Sequence, residues 1–256
     1  MKTFPPYRSV VLALFLLAVP AAATASDWSW NFTPYAWLLN ASVDVQVNDR
    51  EIFDGEVDFK DLIDDADFAF FAHLEGRRGK LGLFADVFVV DLGDEPRHFS
   101  LGPLPITAES DLELTLIDVG GVWYPSEDGG FGIHYGLRLI DIDQEVDILG
   151  VGPLPTDRRI IELARTEIDG LVGFRYLSEL AESWSFAFAA DYSAGGSDGS
   201  WGGLLVFGYH FGSEDRYGFR FGYRHLEMEL GDEDRTAKVE TTLELSGPLL
   251  GFTFGF

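Results

Sequence analysis

Twelve ionisable side chains stand at regular intervals in segments that are otherwise small or aromatic: His73, Glu75, Asp86, Asp118, His134, Arg138, Asp169, Arg175, Asp191, His210, Arg220 and Arg224. Side chains two apart share one face of an extended strand, and strand projection puts all twelve on the same one. Carboxylates and guanidinium groups removed from water on an enclosed face must find each other. The chemistry they offer is therefore mutual neutralisation: a plug of ion pairs or, more sharply, a polar path for a small solute. Hydrolytic chemistry has thinner support. Asp141-Ile142-Asp143 gives an acidic pair near one rim, but no Asp-x-His occurs in the chain, and His225-Leu226-Glu227 reverses that order. A Ser–His–acid set would need three groups brought together by folding, which spacing alone does not supply. There is no His/Cys metal cluster and no phosphate-binding Gly loop. The expectation is of no enzyme, no catalytic residue and no cofactor, the alternative being a rim-sited hydrolase or lipid-modifying enzyme.

The elements that must carry these residues are strands. Tyr217, Phe219, Phe221 and Tyr223 alternate with Gly218, Arg220, Gly222 and Arg224; Trp184, Phe186, Phe188 and Tyr192 alternate with Ser185, Ala187, Ala189 and Asp191. Trp201, Leu205, Phe207, Tyr209 and Phe211 form the large face of a third segment, opposite Gly202, Leu204, Val206, Gly208 and His210. A soluble barrel turns its apolar face inward and a membrane barrel turns it to lipid. The second face decides, because it holds Gly, Ala and Ser with isolated charges, where a solvated face would be rich in Lys, Glu and Thr. Such a face fits a narrow, filled lumen. Trp28, Trp30, Trp123, Trp184 and Trp201, near segment ends, fit the aromatic girdles of a membrane barrel.

A coarse pass yields ten strands, near residues 28–46, 67–76, 80–92, 109–124, 131–143, 166–177, 184–194, 200–211, 216–229 and 239–256; eight or twelve also fit. The expected fold is an all-β, closed antiparallel transmembrane barrel. Short connections alternate with long ones at 47–66, 93–108, 144–165 and 230–238, the pattern of short periplasmic turns and longer outer loops. An even count places both termini on the periplasmic side. The first long connection concentrates Asp54, Glu56, Asp58, Asp61, Asp64, Asp65 and Asp67, with a short helix expected from Val57 to Ala66. Its carboxylates suit at most weak divalent-cation binding, since Ca²⁺ and Mg²⁺ take oxygen ligands and the ordered spacing of a dedicated calcium loop is missing. Gly102-Pro103-Leu104-Pro105 returns fifty residues on as Gly152-Pro153-Leu154-Pro155, a hairpin duplication with stiffened loops.

The chain's first 25 residues read as an export signal: Lys2 and Arg8, the apolar run Val10 to Val19, Pro20, then Ala23-Thr24-Ala25 as the cleavage pattern. Residues 26–256 form the barrel domain. With no Cys, neither disulfides nor a lipid-bearing cysteine contribute. The 43 acidic residues oppose 18 basic ones, for a formal charge of −25, which argues against nucleic acid as a partner. With 22 Phe, 9 Tyr and 6 Trp, the composition is that of a folded chain, and the acid belongs in the loops.

Leu250, Phe252, Phe254 and Phe256 alternate to the final residue, which resembles the terminal insertion strand of bacterial outer-membrane barrels. Phe32-Thr33-Pro34-Tyr35-Ala36-Trp37, Leu62 to Asp67, and Leu74-Glu75-Gly76-Arg77-Arg78-Gly79-Lys80-Leu81-Gly82-Leu83 with Asp86 resemble a largely uncharacterised family of bacterial outer-membrane β-barrel proteins. That resemblance covers roughly residues 30–95 closely and the rest by pattern. It implies an outer-membrane location, with membrane lipid, lipopolysaccharide and the barrel-insertion machinery as partners, and it carries no agreed activity.

Overall fold

A computed structural model describes residues 28–47, 50–57, 66–92, 97–101, 104–127, 130–149, 158–234 and 237–256. Thirteen strands are described: β1 (Ser29–Trp37), β2 (Asn40–Val47), β3 (Arg50–Val57), β4 (Ala66–Arg78), β5 (Leu81–Leu92), β6 (Arg97–Leu101), β7 (Leu104–Trp123), β8 (Phe131–Leu149), β9 (Arg158–Ala181), β10 (Trp184–Gly195), β11 (Gly199–Phe211), β12 (Tyr217–Asp234) and β13 (Ala237–Gly255). Ten of them form a closed antiparallel barrel in the order β1, β4, β5, β7, β8, β9, β10, β11, β12, β13, which the β13–β1 pairing completes. The expected strand number and closure are borne out.

Closure rests on Asn31 opposite Gly255 and Trp37 opposite Leu249. β2 continues the same register against β13, from Asn40 opposite Ser246 to Val47 opposite Val239. β1 and β2 are thus one line of chain, interrupted at Leu38 and Leu39 and stitched there by Leu38 N–H donating to the Pro248 carbonyl at 2.9 Å. Gly247 faces the interruption with φ +159°, and a Cβ on it would run into the Leu38 carbonyl.

At one end of the barrel the connections are tight. Gly79-Lys80 joins β4 to β5 with Gly79 at φ +56°, Glu182-Ser183 joins β9 to β10, and a single 3-10 turn at Ser213–Asp215 precedes β12. At the other end the structure corrects the expectation of long loops. β3 folds back on β2 within 47–66, β6 on β7 within 93–108, and β7–β8 pairing continues to Thr107 opposite Leu149. β8 and β9 extend through much of 144–165, and 230–238 is largely a β12–β13 hairpin. Hairpin formation satisfies backbone groups that a loop would leave to water. The helix expected at 57–66 falls on 58–65, outside the described residues; Val57 ends β3 and Ala66 begins β4. The export signal, the second Gly-Pro-Leu-Pro and most of the first loop's acid also lie outside them.

The inner face is identified by contacts between strands that are not neighbours. Arg138 of β8 reaches Ser200 of β11 at 2.9 Å, and Trp37 of β1 packs edge-on against Phe88 of β5 at 5.5 Å; only a shared interior allows either. Alternation then places every other residue, and it shows the apolar face changing sides along the strands. On β12, Tyr217, Phe219, Phe221 and Tyr223 point outward and are exposed, whereas Leu226, Met228 and Leu230 point inward and are buried. Outward positions beyond the change are Glu227 and Glu229. β8 does the same, with Phe131, Ile133, Tyr135 and Leu137 exposed outside and Ile140 and Ile142 buried inside. Trp37, Leu39, Phe88, Leu114, Leu116, Ile140, Ile142, Leu226, Met228, Leu230, Leu243, Leu245 and Leu249 make one continuous core in the half of the barrel away from the short turns.

Candidate functional site

Between that core and the short turns the lumen is polar, and the twelve residues singled out in the sequence fall into it as three groups and one isolated side chain. In the first group Asp86 is the centre. It accepts from Tyr35 Oη at 3.1 Å and from Arg224 Nη1 at 2.9 Å through Oδ1, and His73 Nδ1 lies 3.2 Å from Oδ2. The His73 ring continues to Glu75 at 3.4 Å, and Glu75 is paired with Arg175 at 2.7 Å and accepts from Tyr124 Oη at 3.2 Å. Arg224 also donates to Tyr35 Oη at 2.7 Å and lies 5.0 Å above the Trp37 ring.

The second group is built on Arg138, which is 2% exposed. Its Nε and Nη2 donate to the two Asp118 oxygens, each at 2.8 Å, the bidentate geometry in which a guanidinium holds a carboxylate most firmly. Nη2 also donates to Asp191 at 2.9 Å and Nη1 to Ser200 Oγ at 2.9 Å. Ser200 and Ser193 share a hydrogen bond of 2.6 Å, and Ser193 donates to Asp169 at 3.0 Å. Asp169 further accepts from the Gly196 and Ser197 amides, both at 2.9 Å, and from Ser197 Oγ at 2.6 Å. It pins the Gly196–Asp198 turn between β10 and β11.

The third group lies nearer the short turns. Arg220 donates from Nη1 to Ser185 Oγ and from Nε to Thr253 Oγ1, both at 3.0 Å. Ser185 Oγ is 2.8 Å from His210 Nε2, and Thr253 is 2.8 Å from Thr33 Oγ1. His134 stands apart. Its ring meets Phe84 edge-on at 5.9 Å and covers Gly173, where a Cβ would collide with it; its Nδ1 is buried without a partner. It borders a cavity of about 80 Å³ that the first two groups line from opposite sides. A water needs roughly 10–15 Å³ of such space, so several fit, and one can satisfy Nδ1.

Sequence reasoning missed Tyr35, Tyr124, Ser185, Ser193, Ser197 and Ser200. Tyr35 and Thr33 share the inner parity of their strand, and the Ser-rich stretch 193–200 flanks Asp191; those were the available signals. Phe252 and Phe254 of the terminal strand point outward among Phe211, Tyr217 and Phe219, and the Phe256 backbone exchanges two 3.0 Å bonds with Trp30. Asp141, expected near a rim, instead lies mid-strand in β8, because β8 pairing continues to Leu149, and it accepts from Thr166 at 2.6 Å. His225 points outward, its ring tilted 37° against Trp201 at 4.3 Å and 3.5 Å from Glu244. Neither His225 nor His134 is hydrogen-bonded to a hydroxyl, and among the described residues no three acid or histidine side chains converge as a metal site. The arrangement can neutralise charge and hold water.

Fold and site together define a transmembrane β-barrel with a filled lumen. No family model and no curated protein matches the chain. Among solved structures it is similar to the translocator domain of autotransporter NalP from Neisseria meningitidis, at 12% identity over 97% of this chain and 96% of that one, with a TM-score of 0.45. It is also similar to the outer membrane protease OmpT from Escherichia coli, at 10% identity over 91% and 98%, TM-score 0.46. A third is Ail, the attachment invasion locus protein of Yersinia pestis, at 11% identity over 90% and 99%, TM-score 0.34.

Proposed function

We propose that the chain is a non-conducting outer-membrane barrel, a structural or surface-interacting protein without enzymatic activity. Its short turns and both termini face the periplasm, and its far half stands in water outside the membrane. The change of apolar side along the strands carries this reading. On β8 the outward apolar run from Phe131 to Leu139 spans nine residues, about 30 Å of strand at about 3.4 Å per residue. Tilted by about 40°, it rises about 23 Å, close to the ~25 Å apolar band of an outer-membrane barrel. Within that band lipid covers the outside and the lumen can be polar. Beyond it, water covers the outside, and the strands are held by an inner core as in a soluble protein.

That core closes the lumen. Trp37, Phe71 and Phe88, with ring pairs at 4.9 and 5.5 Å, sit directly over the Arg224–Tyr35 pair, and Leu116, Ile140, Leu226, Met228 and Leu245 fill the level above. An ion would have to leave water to pass, at a cost of many kcal/mol. The narrow solute path is accordingly set aside in favour of the plug. Planar-bilayer recording tests it: the purified barrel gives no step conductance at high salt. Regular steps from a homogeneous, fully folded sample would refute the plug.

A further inference from the structure

Three arginines that project into the lumen below the apolar core have carboxylates: Arg138 has Asp118 and Asp191, Arg175 has Glu75, and Arg224 has Asp86. Arg220 has none among the described residues. Its partners are the hydroxyls of Ser185 and Thr253, and Glu75, the carboxylate whose field reaches it, is already held by Arg175, His73 and Tyr124. A charge withdrawn from bulk water is matched by a counter-charge or it is costly, and Arg138, Arg175 and Arg224 are so matched. The wall makes room for the guanidinium at this point. Gly208 faces the guanidinium across one strand pair, and a Cβ there would collide with Arg220 Nη1 and crowd Ser185 Oγ.

We propose that Arg220, with Ser185, His210 and Thr253 around it, is a receptor for a small oxyanion that enters the lumen from the short-turn mouth. Arg220 Nη2, which engages no group among the described residues, is the donor left for the ligand, and a guanidinium is the side chain best matched to the paired oxygens of phosphate or carboxylate. Ser185 fits the role because its oxygen already accepts from Arg220, so its single proton can serve either His210 Nε2 or an anion. The site lies on the lumen side, so the ligand is a free anion from the aqueous phase and not a lipid headgroup. It sits below the apolar core, and the proposal holds whether or not that core blocks conduction.

The test is titration of inorganic phosphate into the full-length mature barrel in a non-ionic detergent at constant ionic strength, followed by calorimetry and by the Arg220 side-chain Nε–H resonance. Saturable binding that shifts this resonance is expected. Loss of a charge-assisted hydrogen bond weakens binding by about tenfold or more, the result expected for Arg220→Gln, with a smaller loss for Ser185→Ala. Lys80→Gln, the same charge change on the exposed turn outside the lumen, should leave binding within about twofold, since surface charges there are screened. Heat-modifiable gel mobility checks that each variant is folded; should Arg220→Gln fail to fold, Ser185→Ala and the wild-type resonance still decide. Absence of saturation at tens of millimolar phosphate, or equal weakening by Lys80→Gln, would overturn the proposal.

Discussion

Replacing Arg138 by Met keeps the bulk of the side chain and removes the charge, and the consequence can be worked from its partners. Arg138 is 2% exposed and makes four hydrogen bonds, two of them to Asp118 and one to Asp191. Among the described residues it is the only ion-pair partner of either carboxylate. Its loss leaves two charges in a lumen that holds only a few waters, and breaking one buried pair in this way costs about 3–5 kcal/mol. In urea unfolding from lipid vesicles, followed by the fluorescence of the tryptophans, a slope near 3 kcal/mol per molar converts this into a midpoint about 1–1.7 M lower. The triple variant Arg138→Met, Asp118→Asn, Asp191→Asn removes the unmatched charge along with the pair and should recover most of the loss, because the expense lies in the orphaned carboxylates and not in the missing attraction. A single variant within about 1 kcal/mol of the wild type, or a triple variant no better than the single, would refute the view that this network neutralises buried charge.

The lipid boundary is tested on one face of β12. Phe219→Arg should cost about 2–4 kcal/mol in vesicle unfolding, as an arginine at the middle of the lipid face does, while Glu229→Arg, ten residues on and exposed, should stay within about 0.5 kcal/mol. Met228→Ala, within the inner core, should cost about 2–5 kcal/mol by leaving a cavity the barrel wall cannot collapse to fill. Asp169→Ala should speed amide exchange at Gly196 and Ser197 and cost about 1–3 kcal/mol, since it strips buried donors of their acceptor; unchanged exchange there would count against its role in the turn.

Strand number, closure and lumen parity were legible because period-two alternation is a local property, and the inward positions of β10 to β12 read off directly. The side change was also in the string and went unread. Tyr217, Phe219, Phe221 and Tyr223 occupy odd positions, whereas Leu226, Met228 and Leu230 occupy even ones; a reading that assigns each strand one apolar face passes over that slip of phase. The hairpins inside the supposed loops are hard to read because their strands are short, bounded by acid and poor in aromatic residues, with none in β2, Phe53 in β3 and Phe99 in β6. Which charge meets which was not legible at all. Arg138 to Ser200 and Arg224 to Tyr35 join strands that are not neighbours, and such contacts depend on closure and stagger, which no single strand contains.

The side change also explains why a chain so acidic can afford a barrel. Outward positions beyond the change carry Asp143, Glu227, Glu229 and Glu244, where water solvates them, and their repulsion acts across a high-dielectric surface on the scale of the Debye length. Of the basic side chains on the inner face, Arg138, Arg175, Arg220 and Arg224 lie on the short-turn side of the change, three of them matched one or two to one by acids, while Arg165 lies beyond it beside Glu167. On the proposed placement, most of the inner charge at the height of the lipid is paired, and the outward acids lie at the height of water. An open pore would undo that sorting, because the far half of the wall, solvated on both faces, would lose the burial of Leu226, Met228, Leu243 and Leu245 that holds it. On the proposed placement, the height of the strands calls for an inner core, and a closed lumen goes with how far they rise beyond the lipid.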